Sequence, residues 1–173
     1  MSSEDACNFK TFGSTWVLTG EIDNPTVLAM LGAIRTADPD KPVLFLIDSC
    51  GGLAHSTLGL IIELRRLKHL ETRSIGFCAS AAVHLLQAGK VRTAYPHAAF
   101  YMHPLQCEET VDGASVRSFA EQFRNDTDSW LSVLLKRTKR GRRFWNAFLT
   151  SEHHFPASEA LSYGLIDRIV SNP

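Results

Sequence analysis

The stretch "KPVLFLIDSCGGLAHSTLGLIIELRRLKH", Lys41 to His69, carries the plan of the whole chain. Its first part, Lys41 to Asp48, is an apolar run of the kind that fills a strand buried on both faces. Gly51-Gly52 breaks that run, and from Leu53 the apolar residues recur at helical spacing, so a strand passes into a helix through a glycine turn. The same unit recurs on either side. Upstream, "TWVLTG" (Thr15 to Gly20) is a β-rich run ended by glycine, and "NPTVLAMLGAIRTA" follows with Asn24 as N-cap and Pro25 at the first helical position. Downstream, "TRSIGF" (Thr72 to Phe77) leads into "SAAVHLLQAG" (Ser80 to Gly89), with Gly89 as C-cap, and "AAFYMH" (Ala98 to His103) is a further strand. Repeated β-then-α units predict a largely parallel sheet with helices on its faces.

After the polar segment "QCEETVDG", a helical pattern runs from about Ala114 to Lys136, with Val116, Phe119, Phe123, Trp130, Val133 and Leu134 on its apolar stripe. The ending "PASEALSYGLIDRIV" reads as a short helix starting near Pro156, a glycine stop at Gly164 and a final strand. No linker, repeat or low-complexity segment interrupts the chain, so residues 1–173 are expected to form one domain.

With 173 residues, 45% of them apolar, the chain can bury a core without disulfides or metals. Eighteen basic and eighteen acidic residues cancel, which removes a long-range field toward nucleic acid or an acidic membrane. Cys7, Cys50, Cys78 and Cys107 have neither Cys-x-x-Cys spacing nor a nearby histidine pattern, so reduced thiols in a cytoplasm fit best, with no metal centre and no cofactor. The beginning, "MSSEDACNFK", is acidic where a signal peptide is basic, and no run reaches the roughly 18 apolar residues of a membrane span.

In parallel α/β sheets, sites gather where strands end and helices begin. Two such ends carry chemistry here: Cys50-Gly51-Gly52 and Cys78-Ala79-Ser80-Ala81. A serine at a helix start has unpaired N–H groups and a positive dipole end beside it, suited to an oxyanion, and a glycine pair lets backbone approach a substrate without a Cβ in the way. A serine nucleophile needs a base, and His103 at the end of its strand is the best placed. Spacing does not choose the acid among Glu108, Glu109, Asp112, Glu152 and Asp167. The remaining histidines, Met102 and the Phe and Trp positions read as surface or packing residues, and "KRTKRGRR" (Lys136 to Arg143) as a solvated helix end and turn.

Four segments in order carry a resemblance to the Clp protease proteolytic subunits, within the wider ClpP/crotonase fold. "VLFLIDSCGG" resembles their strand ending in Asn-Ser-Pro-Gly-Gly, and "GFCASAAVHLLQAG" resembles Gly-x-Ala-Ala-Ser-Met followed by a Leu-Leu helix. "FYMHPL" resembles the segment ending Met-Ile-His-Gln-Pro, and "SEALSYGLIDRIV" the C-terminal Glu-Ala-x-x-Tyr-Gly. The resemblance implies an α/β fold of ClpP/crotonase-like repeated β-β-α units with a protruding handle helix, the head at about residues 15–105 and 140–173 and the handle at about 106–138.

The resemblance also implies a serine endopeptidase that cleaves unfolded polypeptides or peptides inside a ring-shaped homo-oligomer of stacked rings, with neither nucleic acid nor membrane as partner. Matched position by position, Ser80 is the nucleophile, His103 the base, and the N–H groups of Gly52 and Ala81 the oxyanion donors. Counting back from Glu159-Ala160 puts Glu152 where the family has an aspartate. Cys50 replaces a proline and Ala81 a methionine, and "QCEETVDG" lacks the glycines usual in the handle strand. The segment before Thr15 is shorter than the one with which family members build pore loops and dock an ATPase, so the reading does not count on a Clp-type ATPase. Two other classes compete: a catalytically silent subunit of a mixed ring, and a crotonase-like acyl-CoA enzyme that shares the two-amide oxyanion hole.

Overall fold

The computed structural model describes residues 7–106 and 110–171. Cys107, Glu108 and Glu109, the last two read above as candidate acids, lie outside the described residues, as does the start of the chain before Cys7.

The apolar run at the centre of the sequence is the centre of the sheet. Strand β3 (Pro42–Gly52) lies between β2 (Thr15–Ile22) and β4 (His69–Ala79), parallel to both. Val43, Phe45, Ile47 and Ser49 are buried and the alternate residues Leu44, Leu46 and Asp48 half-buried, so both faces are covered, as a parallel sheet requires. The antiparallel strand β1 (Phe9–Phe12) closes one edge against β2. Phe9, Trp16 and Phe45 meet edge to face beneath it, which anchors that edge in the core.

At its other side β4 divides. Its first half pairs with β5 (Val91–Ala94), which continues to β8 (Arg168–Ile169), whereas Phe77 to Ala79 pair with β6 (Ala99–Met102). Strand β7 (His153–Pro156) runs antiparallel to β6. This division brings the ends of β3, β4 and β6 to one place. Among the described residues the sheet is thus largely parallel, with antiparallel pairs only on its outer strands.

Helices α1 (Asn24–Thr36), α2 (Ala54–Leu64) and α3 (Ala81–Leu86) follow β2, β3 and β4. The cap of α1 is Asp23, whose carboxylate accepts from the Thr26 N–H at 2.9 Å, rather than the expected Asn24, which is already helical. Gly89 is not a left-handed C-cap either: α3 ends at Leu86 with Gln87 in a right-handed conformation. Gly89 is required by space, since a Cβ there would strike Thr72 and the Val91 carbonyl. At the C-terminal end, α6 (Ala157–Tyr163) stops at Gly164 in the left-handed conformation, as the sequence indicates.

The long helix α4 (Val116–Arg137) buries side chains only toward its C-terminal end, at Trp130, Leu131, Val133 and Leu134. It is followed by α5 (Arg142–Phe148), unexpected from the sequence because its basic start reads as a turn. Part of that basic run is structural: Arg137 donates to the Gly89 carbonyl at 2.6 Å and Arg142 pairs with Asp128. No helix among the described residues is long and apolar enough to cross a membrane.

Candidate active site

Ser80 sits between the end of β4 and the start of α3 with φ 51° and ψ −120°. Among the described residues it is the only non-glycine residue with a positive φ. Such a backbone costs about 1–3 kcal/mol and persists only where its surroundings over-determine it. They do so here. The Ser80 N–H donates to the Tyr101 carbonyl of β6 at 2.8 Å, and the Ser80 carbonyl accepts from the Val83 N–H at 3.1 Å and lies 3.3 Å from Nδ1 of His84.

The glycine pair presses against this turn. A Cβ on Gly51 would lie 2.8 Å from the Ala79 carbonyl oxygen and 2.9 Å from both the Ser80 Cβ and the Ala81 nitrogen, so no side chain fits. Ser49 fixes the approach by donating its hydroxyl to the Gly20 carbonyl at 2.6 Å and accepting the Gly51 N–H at 3.1 Å. Gly52, Ser80, Ala81 and His103 thereby border one cavity of about 420 Å³. Ala81 opens α3, where an N–H has no partner within its helix.

His103 follows β6. Its Nε2 is 2.8 Å from the Ser80 Oγ, and its Nδ1 is 2.7 Å from the Pro104 carbonyl oxygen. A carbonyl can only accept, so Nδ1 carries the proton and Nε2 presents a lone pair to the Ser80 hydroxyl. That is the tautomer a general base needs.

Glu152 immediately precedes β7 and is exposed. Among the hydrogen bonds and ion pairs of the described residues, none joins Glu152 to His103. Its neighbour is Tyr101. Burial and the hydrogen bond to the Glu152 carboxylate together hold the Tyr101 hydroxyl above its usual pKa. The Tyr101 ring stacks against His154 at 4.3 Å and against His103 at 5.4 Å, so it stands between acid and base. Of the other carboxylates weighed from the sequence, Asp112 accepts from Ala114 and Ser115 at the start of α4, and Asp167 pairs with Arg92 at 2.6 Å.

Two further residues of the cavity wall were read from the sequence as packing. His84, on α3, meets Trp130, on α4, edge to face at 4.1 Å. Burial pushes the His84 imidazole down to about 3, against a smaller opposing effect of the Ser80 carbonyl, so the ring is neutral at physiological pH. The signal available in the sequence was a polar ring inside the otherwise apolar helix "AAVHLL". Cys78, directly before Ala79, is fully buried, and burial raises its thiol pKa, which leaves it unreactive.

A hydroxyl on a base of the correct tautomer, at the mouth of a cavity with a helix-start N–H beside it, can perform acyl transfer. Comparison with known proteins points the same way. A family model described as Clp protease matches residues 15–173. ATP-dependent Clp protease proteolytic subunits from three strains of Dehalococcoides mccartyi are each 27% identical over 150 residues, which is 85% of this chain and 75% of theirs.

Proposed function

The chain belongs to the Clp protease family and is a ClpP-type peptidase; from that premise we propose that it is a serine endopeptidase acting on unfolded polypeptides or peptides, with Ser80 as nucleophile and His103 as base. The observation that carries this reading is the 2.8 Å contact between the Ser80 Oγ and the His103 Nε2, held by the strained turn at Ser80. Ser80 attacks the scissile carbonyl carbon while His103 takes its proton, and the oxyanion is received by the N–H groups of Gly52 and Ala81. His103 then protonates the leaving amine. Water, deprotonated by the same imidazole, attacks the acyl-enzyme, and Ser80 leaves with its proton restored.

Glu152 is proposed as the acid that stabilises the His103 imidazolium. In the arrangement described, the Pro104 carbonyl holds Nδ1, so Glu152 supplies its charge from beside Tyr101, and a closer approach would need His103 to exchange one acceptor for the other. On this view, Glu152→Gln lowers kcat with little change in KM and moves the pH profile of turnover, whereas Ser80→Ala abolishes turnover.

The handle helix supports a homo-oligomer. Val116 is 53% exposed and Phe119 only half-buried, on the part of α4 that its own chain leaves uncovered. We propose that α4 joins copies of the chain in stacked rings, within a cytoplasm. Head and handle are proposed as parts of one domain.

Intact mass after incubation with a fluorophosphonate tests the chemistry, with oligomeric state recorded on the same sample. A single adduct that is lost in Ser80→Ala is the expected result. No adduct on an assembled ring would sink the peptidase reading in favour of the silent subunit, a second reading favoured by one observation: the His103 Nδ1 rests on a carbonyl rather than on a carboxylate.

A further inference from the structure

One residue of β6 meets all three groups proposed for the chemistry. The Tyr101 carbonyl accepts the Ser80 N–H at 2.8 Å and so pins the strained turn from the neighbouring strand. The Tyr101 ring stacks against the His103 imidazole, with centroids 5.4 Å and planes 30° apart. Its hydroxyl donates to the Glu152 carboxylate.

This threefold contact follows from the ladder. Strands β6 and β7 run antiparallel, with Tyr101 opposite His154 and Met102 opposite His153, so the next residues in line are His103 and Glu152. Side chains alternate along a strand, which turns Tyr101, His103, Glu152 and His154 toward one face. Diagonal neighbours across an antiparallel pair are about 7–8 Å apart, a gap that an aromatic side chain spans. Tyrosine at position 101 therefore reaches from one strand to the acid beside the other, and the His154 ring stacks on it at 4.3 Å.

Glu152 needs such a hold. It is exposed, it precedes β7 instead of lying within it, and no hydrogen bond or ion pair among the described residues ties it to His103. A glutamate left free spreads over many rotamers, and in most of them water weakens the pull of its charge on the imidazole.

We propose that Tyr101 is a positioning residue for this reaction: its hydroxyl holds the Glu152 carboxylate beside His103, while its ring and its carbonyl keep the imidazole and the Ser80 turn in register with that acid. Phenylalanine at this position keeps the stack and the backbone bond and loses the hold on the acid. The proposal rests on the peptidase reading above, with Glu152 as its acid, and names the residue that places that acid.

The test is steady-state cleavage of a peptide by the assembled full-length protein and by Tyr101→Phe, Glu152→Gln and the double variant. Tyr101→Phe is expected to lower kcat about tenfold, roughly the worth of a hydrogen bond to a charged group, with KM changed by less than about twofold, because the acid acts once the imidazolium forms. In the double variant the two losses should not multiply: kcat should match that of Glu152→Gln alone, since the hydroxyl acts through that carboxylate. A hydroxyl with a merely structural role would lower the thermal unfolding temperature and would cost the same factor with or without Glu152. The proposal is overturned if Tyr101→Phe keeps the native kcat, if it turns over faster, which would make the phenol a restraint on the acid, or if the two losses multiply. Fluorophosphonate labelling of Ser80 together with native kcat in Tyr101→Phe defeats the positioning proposal alone. Native kcat in Glu152→Gln removes the acid and the proposal with it, whereas no labelling and no cleavage by the native protein defeats the peptidase reading as well.

Discussion

Ser80 combines the hydroxyl proposed as nucleophile with a backbone that a β-carbon opposes, and the two can be separated by substitution. Ser80→Ala removes the hydroxyl and keeps the strained φ of 51°. Ser80→Gly removes both. Each variant should lose fluorophosphonate labelling and turnover, but the glycine variant should be about 1 kcal/mol more stable than the alanine variant, strain relief exceeding the added freedom of its unfolded chain. Urea midpoints of the two read this directly. His84 gives a second residue-scale expectation. In the folded chain it resists protonation down to about pH 3, whereas in the unfolded chain it takes a proton near its ordinary value of 6.5. Stability from this group is therefore complete above about pH 6.5 and falls as the pH drops toward 3, by at most about 1.4 kcal/mol per pH unit. Urea denaturation between pH 6.5 and 4 should show a steeper loss for the native chain than for His84→Leu. Equal slopes would mean that His84 reaches solvent in the folded state. Ser80 and His103 were legible in the sequence as a candidate pair because each follows a strand end, where sites gather, and the 2.8 Å between them is the part of that reading the fold shows. The pairing of His84 with Trp130 was not, because nothing in the spacing of two distant helices says that their rings meet.

At the scale of elements, the strand-turn-helix units were legible wherever an apolar run was long enough to show its period. Strands β1, β5 and β7 have four residues each and show none. Strand β5 is further disguised by Arg92, a charge in a strand that turns out to be 5% exposed. Arg92 ties four parts of the fold together: it donates to Gln87 Oε1 at 2.6 Å on the turn after α3, to the Gly164 carbonyl at 2.9 Å after α6, and to Asp167 at 2.6 Å before β8. Burial would raise the Asp167 carboxyl, but the bonds from Arg92 outweigh it and hold that carboxyl below its ordinary value. Removing the guanidinium leaves Gln87, the Gly164 carbonyl and a carboxylate without their donor. Arg92→Met should cost about 3 kcal/mol in urea denaturation, with Asp167→Asn costing less because that carboxylate is partly solvated. A loss under 1 kcal/mol for Arg92→Met would show that the network can relax around the gap. The same network explains why Asp167, one of five carboxylates that spacing left open, serves the fold instead of the base.

The whole molecule poses a question that its own core does not answer. Helix α4 has 22 residues, roughly 33 Å of helix, yet its buried residues all lie from Trp130 onward. An isolated amphipathic helix that buries nothing over its first turns is marginal in water, so the uncovered stripe asks for a second surface. This part was half legible: the apolar spacing of Val116, Phe119 and Phe123 could be read from the chain, but the partner that covers it is not encoded in any one copy, and only the family resemblance suggested stacked rings. Val116→Glu with Phe119→Glu places two like charges on the stripe without touching the residues that pack on the head. If α4 joins copies of the chain, this double variant should sediment as a smaller assembly than the native protein while the thermal unfolding of the head stays within a few degrees. Peptidase activity should fall with the assembly, because the cavity wall borrows Phe123, Thr127 and Trp130 from the same helix, and a helix without its partner no longer holds them against Ser80. Unchanged sedimentation with unchanged turnover would place the contact between copies on another face and leave the apolar stripe of α4 unexplained.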